Sequence, residues 1–129
     1  MATNPAFATT PRVGAAALTG TADTSYTSPT SVATVITGVT AGTRIAEVVV
    51  QMTATVSTAT MVRLWLFDGT TYTLFDEVLI SAATGAQGVK QTRASIPYNN
   101  LILPSSSWSL RATCHTTNAG VVVALGADL

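Results

Sequence analysis

The chain has 129 residues, six Lys and Arg against six Asp and Glu, one His and one Cys, so its formal net charge is zero. Without a basic cluster there is no footprint for phosphate-dominated nucleic-acid binding. Apolar runs such as Ile45 to Val50 are too short and too interrupted to span a bilayer, and a lone cysteine, Cys114, forbids an internal disulfide and fits synthesis in a reducing cytoplasm.

This length suits one domain that buries its own core. Only 9% of the residues are charged and the mean hydropathy is +0.42, whereas a freely soluble surface carries roughly 25–35% charged residues. The shortfall points to an oligomer or to a chain docked on a larger surface.

Residues Met1 to Pro11, MATNPAFATTP, hold two prolines and no apolar periodicity, which predicts an extended arm. Phe7 is its one aromatic side chain and a candidate anchor on a neighbouring molecule. The N-terminus lacks the charged and apolar regions of a secretory signal. The domain is expected over Arg12 to Leu129.

Arg12 to Leu18 reads as a first strand, followed by a Thr, Ser and Gly-rich loop from Thr19 to Thr30. Val32 to Thr37 is a short strand closed by Gly38. Thr43 to Val56 reads as a long strand, with Ala46, Val48, Val50, Met52, Ala54 and Val56 on one face and Glu47, Gln51, Thr53 and Thr55 on the other.

Thr60 to Ile80, TMVRLWLFDGTTYTLFDEVLI, carries the strongest local signal. Two aromatic and β-branched runs flank Asp68-Gly69-Thr70-Thr71, and Asp-Gly between apolar runs predicts a β-hairpin. Val62, Leu64 and Leu66 alternate with Met61, Arg63, Trp65 and Phe67. Both faces are thus largely apolar, which requires a central sandwich strand or a second face covered by another subunit.

Ser81 to Gly88 reads as a small-residue loop, Val89 to Ile96 as a strand carrying Lys90 and Arg93, and Pro97 to Pro104 as a short edge segment. Trp108, Leu110, Ala112 and Cys114 are expected inward, with Ser109, Arg111, Thr113 and His115 outward. Asn118-Ala119-Gly120 turns into a last strand, Val121 to Leu125. About eight short strands and no helical apolar spacing predict an all-β fold: an antiparallel β-sandwich of jelly-roll type.

Chemistry is sparse. The single His115 neighbours the single thiol of Cys114, but strand neighbours point to opposite faces, so they form no nucleophile-base couple. Asp76 and Glu77 diverge in the same way, and Asp68 is explained by its turn. No catalytic residue, metal site or cofactor is indicated.

Glu47, Arg63, Glu77 and Arg111 are isolated charges within neutral strands, expected to pair across strands or across a subunit boundary. Trp65, Phe67 and Tyr72 cluster at the hairpin tip, as core or interface packing or as a platform for a sugar. The interface candidates are therefore Phe7, Arg63, Trp65, Phe67, Tyr72, Glu77 and Arg111.

The opening NPAFATTPRVGAAALT, the hairpin MVRLWLFDGTTYTLFDEVLI and the tail NLILPSSSWSLRATCHTTNAGVVVALGADL together resemble a group of small proteins encoded among the structural genes of tailed bacteriophages. These are packing and turn motifs and carry no catalytic signature. The chain departs from the group's pattern at Pro104-Ser105-Ser106-Ser107, where a glycine turn is usual, and at Gly126-Ala127-Asp128, where a second glycine is. The resemblance implies a head decoration, or cement, protein: made in the host bacterial cytoplasm, located on the virion capsid surface, bound to the major capsid protein and present as a homotrimer. The alternatives are a tail, neck or fibre component and a carbohydrate-binding jelly-roll module that takes a glycan.

Overall fold

A computed structural model describes residues 10–129. It contains eight strands: β1 (Thr10–Ala17), β2 (Ala33–Thr37), β3 (Thr43–Met52), β4 (Thr60–Phe67), β5 (Tyr72–Ile80), β6 (Arg93–Leu103), β7 (Ser109–Cys114) and β8 (Gly120–Asp128). The expected arm and its Phe7 lie outside the described residues, except that Thr10 and Pro11 already belong to β1.

The strands form two four-stranded sheets, ordered β1-β8-β3-β6 and β2-β7-β4-β5. Every recorded pairing is antiparallel, and the pairs are nested: β1 with β8, β2 with β7, β3 with β6 and β4 with β5. A chain folded on itself about the β4–β5 turn and then rolled up yields this order. The core between the sheets includes Val48, Val50 and Val122 from one side and Val62, Leu64 and Leu110 from the other, all fully buried.

The β4–β5 hairpin forms as expected. Gly69 sits at φ 100°, a conformation that costs a side-chain-bearing residue roughly 1–2 kcal/mol. The Asp68 carboxylate accepts the backbone N–H groups of Thr70 and Thr71 at 2.9 and 2.7 Å. Those donors favour its charged form and hold its carboxyl below the usual range.

The third strand differs from its expected pattern. A β-bulge between Ile45 and Glu47 shifts its register against both β6 and β8. Ile45 and Val48 therefore both point inward, and Ala46, expected in the core, is exposed. An extra residue in one strand switches which parity faces the core. The strand also stops at Met52, leaving Val56 to a separate bridge with Ala83.

At the other edge, the two segments expected around Pro97 merge into one strand, β6, that begins at Arg93; Lys90 precedes it and Val89 makes only an isolated bridge with Ala86. Pro97 is tolerated because β6 is an edge strand, where a missing N–H costs no ladder bond. Pairing of Thr10 with Asp128 extends β8 three residues beyond its expected end at Leu125.

The two sheets meet closely at the β1–β2 corner. A Cβ on Gly14 would lie 2.4 Å from the Val35 carbonyl oxygen, so only glycine permits this approach. Arg12 closes the same end, donating to the Thr37 carbonyl at 2.6 Å and pairing with Asp128 at 3.2 Å.

Candidate interaction surface

The sandwich has two outer faces, and the chain treats them differently. On the β2-β7-β4-β5 sheet, the second apolar side of β4 is covered within the same molecule. The loop over residues 18–32 is bound there by the Asp23 N–H, which donates to the Cys114 carbonyl at 2.9 Å. Its Tyr26 ring lies against the Arg63 guanidinium, 4.1 Å from the ring centroid.

Arg63 is 0% exposed. Its charge is tolerated because each guanidinium nitrogen has a partner. Nε donates to Glu77 Oε1 at 3.0 Å, Nη1 to the Asp23 carbonyl at 3.1 Å, and Nη2 to His115 Nδ1 at 3.0 Å. Arginine can only donate, so Nδ1 is the acceptor and the imidazole carries its proton on Nε2.

Asp23, within this loop, organises the cover. Burial alone would push its carboxyl up. The N–H groups of Ser31, Thr30 and Ser25 converge on it, and with the nearby Arg63 charge they outweigh burial and hold it below the usual range. The bonds to Thr30, Ser31 and Ser25 measure 2.7, 3.0 and 3.1 Å. Sequence alone missed this residue, because its donors converge only once the loop has folded.

Trp65 is also fully buried and donates from Nε1 to Thr113 Oγ1 at 2.9 Å. Arg63 and Trp65 are therefore not free interface residues: the chain's own loop and strands occupy both. A sugar platform that uses Trp65 loses its footing for the same reason.

Toward the hairpin tip, Phe67 stacks on Tyr72 with centroids 4.3 Å apart, and Arg111 lies over Phe67 at 4.2 Å while donating to the Tyr72 hydroxyl at 3.0 Å. Phe67, Tyr72 and Arg111 thus form one half-buried stack. The Glu77 side chain stays 35% exposed beside Arg63. Arg63 and Glu77 sit opposite one another across β4 and β5, so the expected cross-strand charge pair lies within this chain. Glu47 accepts from Ser95 Oγ on the neighbouring strand.

The expected separation of Cys114 and His115 holds. Cys114 lies in the core, whereas His115 is bonded to Arg63 on the opposite face. Asp76 and Glu77 likewise diverge, Asp76 accepting the Tyr98 hydroxyl at 2.8 Å. Burial and this carboxylate push the Tyr98 hydroxyl well above its ordinary range. Among the described residues no group of three or more His, Cys, Asp or Glu could hold a metal ion.

The outer face of the β1-β8-β3-β6 sheet is different. Register places Val13, Leu125, Glu47 and Pro97 in one row across it, Ala15, Val123, Val49 and Ser95 in the next, and Ala17, Val121, Gln51 and Arg93 in a third. Pro11 and Ala127 extend the first two strands of this grid. Every outward position on the β1 and β8 half is apolar, and Val13 is 68% exposed. Contiguous exposed apolar patches are a feature of interaction surfaces.

No protein-family model, no curated protein and no solved structure matches the chain.

Proposed function

We propose that this chain is a bacteriophage virion structural protein that decorates and stabilises the capsid, binding the lattice of the major capsid protein as an oligomer. The observation that carries this reading is the unequal finish of the two outer faces. One is covered over β4 by the chain's own loop, pinned through Asp23 and Arg63, with Leu79 of β5 still exposed beside it, and the other carries no such cover over its apolar β1 and β8 half. A surface of this sort is stable in use only when something covers it, and a shell component is covered throughout its working life.

The nested strand pairing supports reading the sandwich as a jelly roll. The resemblance of the opening, hairpin and tail sequences to small phage structural proteins favours the same role. Stabilisation would then follow from mass action, since a protein that binds only the assembled lattice shifts its equilibrium away from disassembly. Several weak contacts made at once would add avidity. No catalytic step is part of the proposal.

The test is quantitative mass spectrometry of purified heads and tails from particles that encode this chain. The reading predicts a copy number in heads comparable to that of the major capsid protein. A few copies per particle, or copies in tails alone, would reject it in favour of a tail, neck or fibre component.

A further inference from the structure

We infer that the bare face of the β1-β8-β3-β6 sheet pairs with the same face of a second copy of this chain, about a twofold axis that runs across the strands along the row Ala15, Val123, Val49 and Ser95. The inference rests on the reading of this face as an assembly surface and names what covers it.

The pattern of residues on the face selects this axis. A twofold axis lying in the plane of the interface and perpendicular to the strands leaves each strand facing its own copy and exchanges the rows on either side. The apolar β1 and β8 half then meets an apolar half. Val13 falls over the smaller Ala17 of the second copy, and Leu125 over its Val121. Glu47, in the first row, falls over Gln51 in the third, beside Arg93 of the second copy, so the acid approaches a base. The alternative axis, parallel to the strands, would lay the apolar half against the half that carries Glu47, Gln51 and Arg93, stranding those polar groups against aliphatic side chains.

The middle row decides how close the sheets come. Its outward side chains are Ala15, Val123, Val49 and Ser95, small enough to let two sheets settle at the roughly 10 Å spacing of face-to-face packing. Four strands and three rows span about 400 Å² of sheet per copy, from a strand spacing of about 4.8 Å and a rise of about 3.4 Å per residue. The pair then buries about 800 Å² in total, below the standard size of specific interfaces and within the range of weak ones, so its association is to be read at high protein concentration. The hairpin tip and the ends of the sandwich stay free for other contacts.

A residue on a twofold axis meets its own copy, and this makes the test specific. Purified wild-type chain at about 100 µM should sediment as a dimer. Val123→Asp and Val123→Lys should each sediment as monomers, with self-association weakened at least about a hundredfold by like charges facing one another, while their circular dichroism stays that of the wild type. An equimolar mixture of the two variants should recover the dimer. The pairing is overturned if the wild type is monomeric or trimeric, if either variant remains dimeric, or if the mixture stays monomeric. None of these results depends on virion location, so a trimer found in abundance on heads would reject this pairing and leave the decoration reading intact.

Discussion

Replacing Arg63 with alanine tests whether the covered face is held together by one buried cation. The side chain is fully buried and serves three acceptors and one aromatic ring. Its removal leaves the Asp23 carbonyl and His115 Nδ1 without their donor and frees Glu77 from its partner. An unsatisfied buried acceptor costs about 1–3 kcal/mol. The Tyr26 contact adds about 0.5–1 kcal/mol. Glu77, whose side chain is 35% exposed, recovers water and adds under about 1 kcal/mol. With the acceptor cost counted for both the Asp23 carbonyl and the half-buried His115, these terms span about 2.5–8 kcal/mol, and the roughly 3–5 kcal/mol that breaking a buried ion pair costs in general lies within that span. For a domain of this size each kcal/mol moves Tm by roughly 3–5 °C, so Arg63→Ala should melt about 10–20 °C below the wild type in differential scanning calorimetry. Glu77→Gln, probing the exposed end of the same network, should lower Tm by no more than a few degrees. A loss below about 1 kcal/mol for Arg63→Ala would refute the idea that Arg63 fastens the loop.

Three further outcomes follow from the same geometry. Val50→Asp puts an unpaired charge at a fully buried position and should abolish soluble folded protein, since several kcal/mol of burial penalty approach the ~5–15 kcal/mol that stabilises a whole domain; normal expression would mean that the register of β3 is misassigned. Gly14→Val would drive a side chain into the Val35 carbonyl and should cost about 1–3 kcal/mol as overpacking, read as a shifted urea midpoint; an unchanged midpoint would mean the β1–β2 corner is looser than described. In the folded protein the Asp23 carboxyl titrates below the usual carboxylate range, so its contribution is present above that range and is lost as pH falls through the depressed folded pKa. Asp23→Asn should therefore destabilise the protein at neutral pH, with the gap to wild type narrowing as acidification protonates Asp23; a gap independent of pH would show that the charge is not what holds the loop.

The parts of this fold that were legible in the sequence are those in which a few adjacent residues decide the outcome. The β4–β5 hairpin is such a case, because Asp68 and Gly69 set the turn and the flanking runs have no competing pattern. Placement of Val48, Val50, Leu110 and Ala112 in the core followed from simple alternation. The bulge at Ala46 was not legible: alanine fits either face, and the shift is imposed jointly by β6 and β8. Nor was the start of β6, where small residues give no periodicity and Pro97 looked like a boundary.

The site shows the same division. The two-sided character of β4 was plain from Arg63, Trp65 and Phe67, and so was the need for a cover. What supplies the cover on Arg63 was not, because a loop of Thr, Ser and Gly reads as solvent-facing until Asp23 gathers its own backbone donors. The bare face could not be recognised from β1 alone, since its apolar ladder exists only once Val13, Ala15 and Ala17 lie beside Leu125, Val123 and Val121.

A cryo-electron-microscopy map of the intact virion, with this sandwich fitted into it, tests the central claim most directly. The account predicts density for the eight-stranded domain at repeated positions on the outer surface of the head, with its β1-β8-β3-β6 face covered. Density confined to the tail or neck, or a head surface with no such domain, would contradict it.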